Sequence, residues 1–427
     1  MKISKLNILL ASVLLLFNAP IAPACSCYKV SHHGKTMVGS NYDAWLTTPR
    51  IWFETTGYGC SFTGARKDAA GNFRPQTGLN EFGLAFITLA TATPQNGTAP
   101  LNKKQITSRT AYLKDILHTC KTAEEVKAYV DQYDRSVLSD DVFLYVDRSG
   151  KYVVVEPYVA TFGNEAKYVL ANFCPSTISD FSSIKQKRYR DGTAFLKNKI
   201  DSSLAFCKAL SDTMHVCRAK HGDGTLLTSI LDLDKGINYL YFYHDYEHPV
   251  AFRLKEELAK GDHFTELPPL FPKNAEFQQL IDFKTPANSP MLNNFMAFCA
   301  IWFSIAGFFF FIHYFRKRKS TDYPAIQLVL AGLSVVMVFY VFVLVRTENI
   351  FYFPAPYVDS QSLLISIASY IPFLLLVLLI PLLTTNTKVV RGNSWSLFAK
   401  YCFSITNATC IALVILFAYW GLYNLIG

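Results

Sequence analysis

The hydrophobic positions of this chain are concentrated at its two ends. Four apolar runs in the C-terminal third are each long enough to span a bilayer as a helix. They cover residues 295–315, 325–345, 362–383 and 401–425. Since 51% of all residues are hydrophobic, the chain is also too apolar for an ordinary soluble enzyme. The pattern therefore predicts an integral membrane protein with an all-α transmembrane region of four helices.

The region between about 25 and 255 has the mixed, charged composition of a globular domain. Runs rich in β-branched and aromatic residues predict strands at 36–39, 83–90, 142–146, 151–155, 168–170 and 238–243. Helical patterns lie at 108–119, 122–133 and 192–210. The second helix begins with a capping box, Thr122 followed by Glu125. The mixture predicts an α+β domain built in layers, and the proline-punctuated segment 256–294 is predicted to be a linker.

The N-terminal segment has the organisation of a secretory signal. Lys2 and Lys5 precede the apolar stretch Ile8–Phe17, and small residues at Ala22 and Ala24 suit a signal peptidase. The pattern predicts a signal peptide over 1–24. An uncleaved anchor helix is disfavoured because two prolines interrupt a segment that is already short for a membrane span.

Cleavage after Ala24 would make Cys25 the first residue of the mature protein. A lipoprotein is the competing interpretation, since a cysteine at a cut site can be lipidated. Ala22 stands where a leucine is usually expected in that motif, which disfavours lipidation of Cys25.

The net charge of +9 arises largely beside the membrane runs. Arg316–Lys319 follow the first run, and Lys388 and Arg391 follow the third. By the positive-inside rule these loops are cytoplasmic, which places the globular domain on the extracytoplasmic side, periplasmic or extracellular. A signal peptide demands the same side. No basic stripe interleaved with aromatic residues indicates nucleic acid as a partner, whereas membrane lipid is an expected one.

Ten cysteines are ordinary for an exported protein, in which disulfides can form. Their pairing cannot be read from the sequence. The spacings of cysteine and histidine form no recognisable zinc-ligand set, and no cofactor-binding motif is present. We therefore predict neither a metal nor a cofactor. The cysteines of the predicted exported region that could form disulfides are Cys60, Cys120, Cys174, Cys207 and Cys217.

An N-terminal cysteine combines a nucleophile and a base in one residue. An α-amine has an ordinary pKa of about 8, so near neutrality part of it is free to take the thiol proton. The thiolate can then attack an amide carbonyl. Such a site further requires a carboxylate to orient the amine and hydrogen-bond donors to stabilise the oxyanion.

Four short motifs occur in order along the globular domain: Cys25–Tyr28, Gly39–Asp43, Asn80–Leu84 and Leu170–Asn172. Together they resemble the N-terminal-nucleophile hydrolases of the choloylglycine hydrolase and penicillin V acylase type, a family of linear amide C–N hydrolases. The resemblance extends over most of 25–255 and leaves out the membrane runs. It implies a layered αββα fold for the domain.

The resemblance also implies roles for individual residues. Cys25 would be the nucleophile with its own α-amine as base, and Asp43 would hold that amine. Asn172 would donate its side-chain amide to the oxyanion, together with a backbone N–H near Ala90. A functional arginine of the family corresponds best to Arg188, with Arg190 as the alternative, and would be an electrostatic partner of the site.

Some residues leave other interpretations open. Ser40 stands where bile-salt-cleaving members carry an arginine, which argues against a bile acid substrate. Cys27 is a rival nucleophile that would require a second trimming event. By itself, Asp43 in Gly39–Asp43 is also typical of a turn carboxylate, and Asn172 of a loop residue.

The sequence thus predicts a membrane-tethered amidase that cleaves a linear C–N amide bond through a thioester. Attachment to a membrane favours a small, amphiphilic N-acyl substrate. Acyl transfer to an amine is an alternative within the same family. A non-enzymatic sensor or binding module is a second alternative, although no cytoplasmic domain is evident. A transporter is disfavoured because the apolar runs contain few ionisable residues.

Overall fold

The computed structural model describes residues 25–91, 97, 102–218, 223–358 and 362–424. They belong to two compact units that adjoin in sequence at Asp282 and Phe283. We call residues 25–282 the sheet unit and residues 283–424 the helical unit. The predicted signal peptide 1–24 lies outside the described residues.

The described part of the sheet unit contains 17 strands. They are β1 Ser26–His32, β2 Lys35–Ala44, β3 Arg50–Glu54, β4 Cys60–Gly64, β5 Thr77–Asn80, β6 Ala85–Ala90, β7 Lys104–Gln105, β8 Tyr133–Asp134, β9 Asp141–Val146, β10 Tyr152–Val155, β11 Ala160–Gly163, β12 Lys167–Leu170, β13 Cys217–Arg218, β14 Asp223–Asp232, β15 Ile237–Phe242, β16 Asp245–Arg253 and β17 His263–Glu266. Two large antiparallel sheets result. Sheet A has the order β12-β1-β2-β14-β15-β16, with β13 paired to β14, and sheet B has the order β11-β10-β9-β6-β5-β4-β3-β17. The short strands β7 and β8 pair in parallel.

Helices cover one face of each sheet. The described helices of this unit are α1 Arg109–Thr119, α2 Ala123–Val130, α3 Lys187–Leu196, α4 Leu204–Met214, α5 Leu254–Leu258 and α6 Ala275–Asp282. Side chains of α1 and α2 share a hydrophobic core with sheet B. Side chains of α3 and α4 share a second core with sheet A.

The alternation of side chains along the strands shows that both faces of each sheet are buried. In β9 of sheet B, Tyr145 packs in the core of α1 and α2, while its neighbour Leu144 is equally buried on the other face. In β1 of sheet A, Tyr28 packs against α3 and α4, while Cys27 is fully buried on the opposite side.

The two helix-free faces contact each other. The Lys29 ammonium on β1 donates to the Gly150 carbonyl in the β9–β10 turn at 2.6 Å. Arg148 of the same turn donates through Nε to the Leu233 carbonyl, which follows β14, at 3.2 Å. The unit is therefore layered helix, sheet, sheet, helix, and the predicted αββα arrangement is confirmed.

The predicted strands are present as β2, β6, β9, β10, β12 and β15, but one predicted helix is wrong. The segment 192–210 is not one helix, because α3 ends at Leu196 and α4 begins at Leu204. Ser203 accepts from the backbone N–H of Phe206 at 3.2 Å and caps α4. Asp201 accepts from the backbone N–H of Ser203 at 2.9 Å, so local side-chain bonds replace helical ones there.

The segment Gly39–Asp43 is not a turn, since β2 runs through it from Lys35 to Ala44. Its polar residue Asn41 is buried, and its side chain is hydrogen-bonded on both sides. The Asn41 amide donates to the Ser211 carbonyl at 2.9 Å and accepts from the Thr228 hydroxyl at 2.8 Å. These long-range partners make a polar, glycine-containing sequence compatible with a central strand.

Gly39→Ala is expected to destabilise the sheet unit by about 2–4 kcal/mol. A Cβ at Gly39 would lie 2.1 Å from Cζ of Tyr28. The ring cannot move aside freely, because the Tyr28 hydroxyl donates to the Cys207 carbonyl at 2.6 Å and contacts the Ser211 hydroxyl at 2.8 Å. The measurement is denaturant unfolding of the full chain in detergent. If the effects of Gly39→Ala and Tyr28→Ala simply added in the double variant, this steric explanation would be wrong.

The predicted linker 256–294 is largely folded into the two units. Its strand β17 pairs with β3, so that Phe264 lies opposite Trp52 at the edge of sheet B. Helix α6 then ends the sheet unit at Asp282. Half-buried and exposed residues alternate over His263–Glu266, as expected for an edge strand. The nearby prolines obscured this signal in the sequence.

The helical unit contains, within the described residues, four helical segments long and apolar enough to cross a membrane. They are Pro290–Lys317 (α7), Pro324–Arg346 (α8), Leu363–Arg391 (formed by α9 Leu363–Ala368 and α10 Ile371–Arg391) and Leu397–Tyr419 (α11). Polar side chains pair between these helices, as is usual in lipid. Trp302 donates to Thr406 at 3.3 Å, and Asn386 donates to Ser404 at 3.2 Å. The chain is therefore a membrane-associated protein.

Candidate active site

The register of sheet A brings two of the sequence motifs to the start of β1. Cys27 pairs with Leu170 of β12 on one side and with Ser40 of β2 on the other. Because antiparallel partners run in opposite directions, Cys25 falls opposite residue 172, and the C-terminal end of β2 lies on its other side. The fold therefore places Asn172 next to the predicted nucleophile.

Asp43 lies near the end of β2 and is almost completely buried. It pairs with Thr225 of β14, whose hydroxyl donates to the Asp43 carboxylate at 2.5 Å. A register shift in β14 between Thr225 and Leu227 accompanies this contact. Bulges of this kind redirect side chains beside functional sites, and here the carboxylate is held by a side chain from the neighbouring strand.

The thiol of Cys25 is buried beside Asp43. Burial is the largest cause that raises the pKa of Cys25, to about 12, and the Asp43 carboxylate raises it further. The backbone N–H of Asp43 and the charges of Arg188 and Arg66 act in the opposite direction on the same pKa. In the uncleaved chain Cys25 is thus a protonated thiol at neutral pH.

Asn172 joins the start of β1 to the end of β6 in the other sheet. Its side-chain amide donates to the Ala90 carbonyl at 2.6 Å, which leaves the second amide hydrogen for another acceptor. The backbone N–H of Thr91 donates to the Asp140 carbonyl at 2.8 Å. Since strand residues alternate, the N–H and carbonyl of Ala90 both point away from β9, on the side where Asn172 binds.

Arg188 connects the nucleophile residue to the amide residue. Its Nε donates to the Cys25 carbonyl at 3.1 Å, and an Nη donates to Oδ1 of Asn172. The same guanidinium donates to Gln186 at 3.3 Å, and the Gln186 side chain bonds both the N–H and the carbonyl of Asn172. Arg188 therefore links Cys25, Asn172 and Gln186 through hydrogen bonds.

The rival thiol, Cys27, faces the inside of the fold. It is fully buried between the sheets, and burial raises its pKa well above the ordinary value, with a further contribution from Cys25. A group in this environment is a poor nucleophile. Burial raises the pKa of both thiols, so the preference for Cys25 rests on its place at the predicted cut site.

All five residues named for the site from the sequence lie close together, but three of its neighbours were missed. Thr225 binds Asp43, and Gln186 binds Asn172. The charge of Arg66 lowers the pKa of Cys25. Gln186 could have been suspected, because it is two residues before Arg188 at the start of a helix. Thr225 and Arg66 carry no sequence signal of this role.

A separate cavity of about 620 Å³ opens at the other end of the β1–β2 hairpin. Gly34 of the hairpin turn lines it, together with Arg148 and Lys151 from the β9–β10 turn. The seven residues of β1 place this turn roughly 20 Å from Cys25. The cavity therefore does not belong to the site around Cys25.

The chain is similar in structure to solved bile acid hydrolase. Two variants of conjugated bile acid hydrolase from Clostridium perfringens match with 17% and 16% sequence identity and TM-scores of 0.45 and 0.46, each over 58% of this chain and 97% of that chain. Penicillin V acylase from Agrobacterium tumefaciens matches with 14% identity and a TM-score of 0.39, over 53% of this chain and 84% of that chain. These are the two kinds of enzyme that the sequence resembles. No family model and no curated protein matches the chain.

Proposed function

We propose that this protein is a membrane-anchored amidase whose nucleophile is an N-terminal Cys25. Removal of residues 1–24 generates the free α-amine, and the sheet unit then hydrolyses a linear C–N amide bond of a small N-acyl compound. The helical unit anchors the enzyme in the membrane. Asp43, Asn172, Arg188 and the backbone of Ala90 complete the site.

The reaction proceeds in two balanced steps. The α-amine of Cys25 takes the thiol proton, sulfur bonds to the amide carbonyl carbon, and the oxyanion accepts hydrogen bonds from Asn172 and the N–H of Ala90. The C–N bond breaks as the α-ammonium returns the proton to the leaving nitrogen. A water molecule, deprotonated by the same amine, then cleaves the thioester and releases the carboxylic acid and the thiol.

The observation that carries this proposal is the convergence of a buried carboxylate and a buried amide on Cys25 from two neighbouring strands. Asp43 on β2 is close enough to raise the pKa of the Cys25 thiol through its charge. The same charge stabilises an α-ammonium, which is the group that must form during catalysis. Asn172 follows β12 and keeps one amide hydrogen for an oxyanion.

The expected location is the extracytoplasmic side, periplasmic or extracellular. The predicted signal peptide and the basic residues in the last turns of α7 and α10 both support this orientation. A substrate that reaches the site from the membrane surface would be amphiphilic, such as an N-acylated amino acid, an acyl-amine or an acyl-lactone. Ser40 in place of an arginine disfavours a bile acid.

The direct test is the mass of the mature N-terminus combined with turnover of an N-acyl substrate panel. We expect a free, unmodified Cys25 and release of a carboxylic acid from at least one amide of the panel. A lipidated Cys25, or a mature chain that begins at another residue, would remove the proposed base and contradict the proposal.

Asn172→Asp is expected to lower kcat by about 10²–10³-fold with little change in KM, because a carboxylate offers no hydrogen to the oxyanion. Steady-state kinetics on the best amide substrate measures the effect. The matched control is Asn164→Asp, an exposed position of the same unit, which should retain normal kcat. Equal kcat in the Asn172→Asp variant and the unmodified enzyme would exclude Asn172 from oxyanion stabilisation.

A further inference from the structure

Three side chains that the amide site does not use converge at one edge of sheet A. Nδ1 of His244 lies 3.1 Å from Oε2 of Glu276, and Sγ of Cys217 lies 3.6 Å from the same oxygen. All three donor atoms are within 4.8 Å of one another. We propose that Cys217, His244 and Glu276 form a binding site for a divalent transition-metal ion, with Zn²⁺ the best-suited ion.

The three donors come from separate elements that are fixed to one another. His244 lies in the β15–β16 turn, where Tyr243 and His244 adopt left-handed φ angles of 52° and 64°. The Asn274 amide donates to the Tyr243 carbonyl at 2.9 Å, and its oxygen accepts from the backbone N–H of Glu276 at 2.9 Å. One asparagine thus fixes both the turn that carries the imidazole and the helix start that carries the carboxylate.

The chemistry of the donors selects the class of ion. A thiolate, an imidazole and a carboxylate are together typical of zinc, whereas Ca²⁺ and Mg²⁺ prefer oxygen ligands alone. Cys217 is exposed and gives the ion a path of entry. Three protein ligands leave a fourth tetrahedral position for water.

Sequence spacing does not reveal this cluster, because its members come from a strand, a turn and a helix that are far apart along the chain. Pairing of β13 with β14 sets Cys217 opposite Gly224. A side chain at Gly224 would lie 2.9 Å from Nε2 of His244, so this glycine allows the imidazole to pack against the hairpin.

The metal site would be linked to the amide site through the same hairpin, a consequence that rests on the proposed amidase function. Val216, beside Cys217, accepts from the backbone N–H of Thr225 at 2.8 Å and donates its own N–H to the Thr225 hydroxyl at 2.9 Å. That hydroxyl holds Asp43. A metal bound at Cys217 would therefore stabilise the strand pair that positions the carboxylate of the amide site.

The test is metal binding by the purified full-length protein in detergent after removal of metals with a chelator. We expect one Zn²⁺ per chain, measured by elemental analysis after dialysis. Substitution by Co²⁺ should give the charge-transfer absorption of a thiolate–cobalt bond. Cys217→Ser should abolish that absorption, and Glu276→Gln should weaken Zn²⁺ binding by at least about 100-fold, beyond the loss typical of changes outside the ligand shell.

Two controls separate this site from other thiols and imidazoles. His248→Asn changes an exposed histidine on the same strand pair that bonds Asp245, and it should leave binding unchanged. Cys25→Ala should also leave the cobalt absorption unchanged, although it removes amide hydrolysis. Loss of the absorption in Cys25→Ala but not in Cys217→Ser, or no stoichiometric binding of either ion, would overturn the metal site and leave the amidase proposal standing.

Discussion

Replacing Cys25 by alanine is expected to reduce amide hydrolysis to the uncatalysed level while the protein remains folded. The variant has no nucleophile, and its α-amine alone cannot form the acyl intermediate. The loss in kcat should be at least about 10⁴-fold, as for nucleophile removal in other covalent hydrolases. Turnover of the best amide substrate, together with the thermal unfolding midpoint, measures both parts of the expectation.

The matched control for this variant is Cys27→Ala. Cys25 directly precedes β1 and Cys27 lies within it, two residues further on, so the two substitutions remove the same atom from neighbouring positions. Cys27 is fully buried, and its removal should cost stability without removing the nucleophile. If Cys25→Ala retained activity and Cys27→Ala lost it, Cys27 would be the nucleophile and our assignment of Cys25 would be wrong.

The candidate site could be proposed from the sequence because its residues lie in short motifs next to elements with strong local signals. Cys25 follows a predicted cut site, and Asn172 follows a strand rich in apolar residues. The register between β1 and β12 then brings the two together, a long-range fact that local pattern alone does not contain. The family resemblance associated Cys25 with Asn172, which the sequence patterns alone could not do.

The partners Thr225 and Gln186 could not be predicted in this way. Thr225 reaches Asp43 only because β14 pairs with β2 across 182 positions of sequence and carries a bulge at that point. Gln186 contacts Asn172 because a loop returns to the end of β12. The cluster of Cys217, His244 and Glu276 was missed for the same reason, since its three side chains meet only through tertiary structure.

The fold shows the same division between local and long-range information. Ser108 and Thr122 mark helix starts correctly, because each capping side chain accepts a hydrogen bond from the backbone N–H three residues further along the chain. The capping box is only half formed, since Glu125 accepts from the N–H of Lys121 rather than that of Thr122. The residues of β17 lacked a decisive local signal, and their assignment depends on the edge of β3 that they complete.

A chain that retains its N-terminal segment is expected to be inactive and to carry an unreactive Cys25. Ala24→Phe places a large residue where a signal peptidase requires a small one, so cleavage should fail. The α-nitrogen of Cys25 then remains an amide, which is not a base, and we expect a loss of about 10²–10⁴-fold in kcat from this change alone.

The reactivity of the thiol tests the same idea without a substrate. Burial raises the pKa of Cys25 to about 12 in the uncleaved chain, so at pH 7.5 only roughly 10⁻⁴ to 10⁻⁵ of it is thiolate. Its alkylation by iodoacetamide should therefore be slow and should rise about tenfold with each pH unit until the pH approaches that pKa. In the cleaved chain an α-ammonium beside the sulfur lowers the thiol pKa, and the rate should level off at lower pH.

Pro20→Ala, outside the small-residue positions, should be cleaved and react as the unmodified protein does. Equal alkylation profiles for cleaved and uncleaved chains would show that the new amine does not activate Cys25.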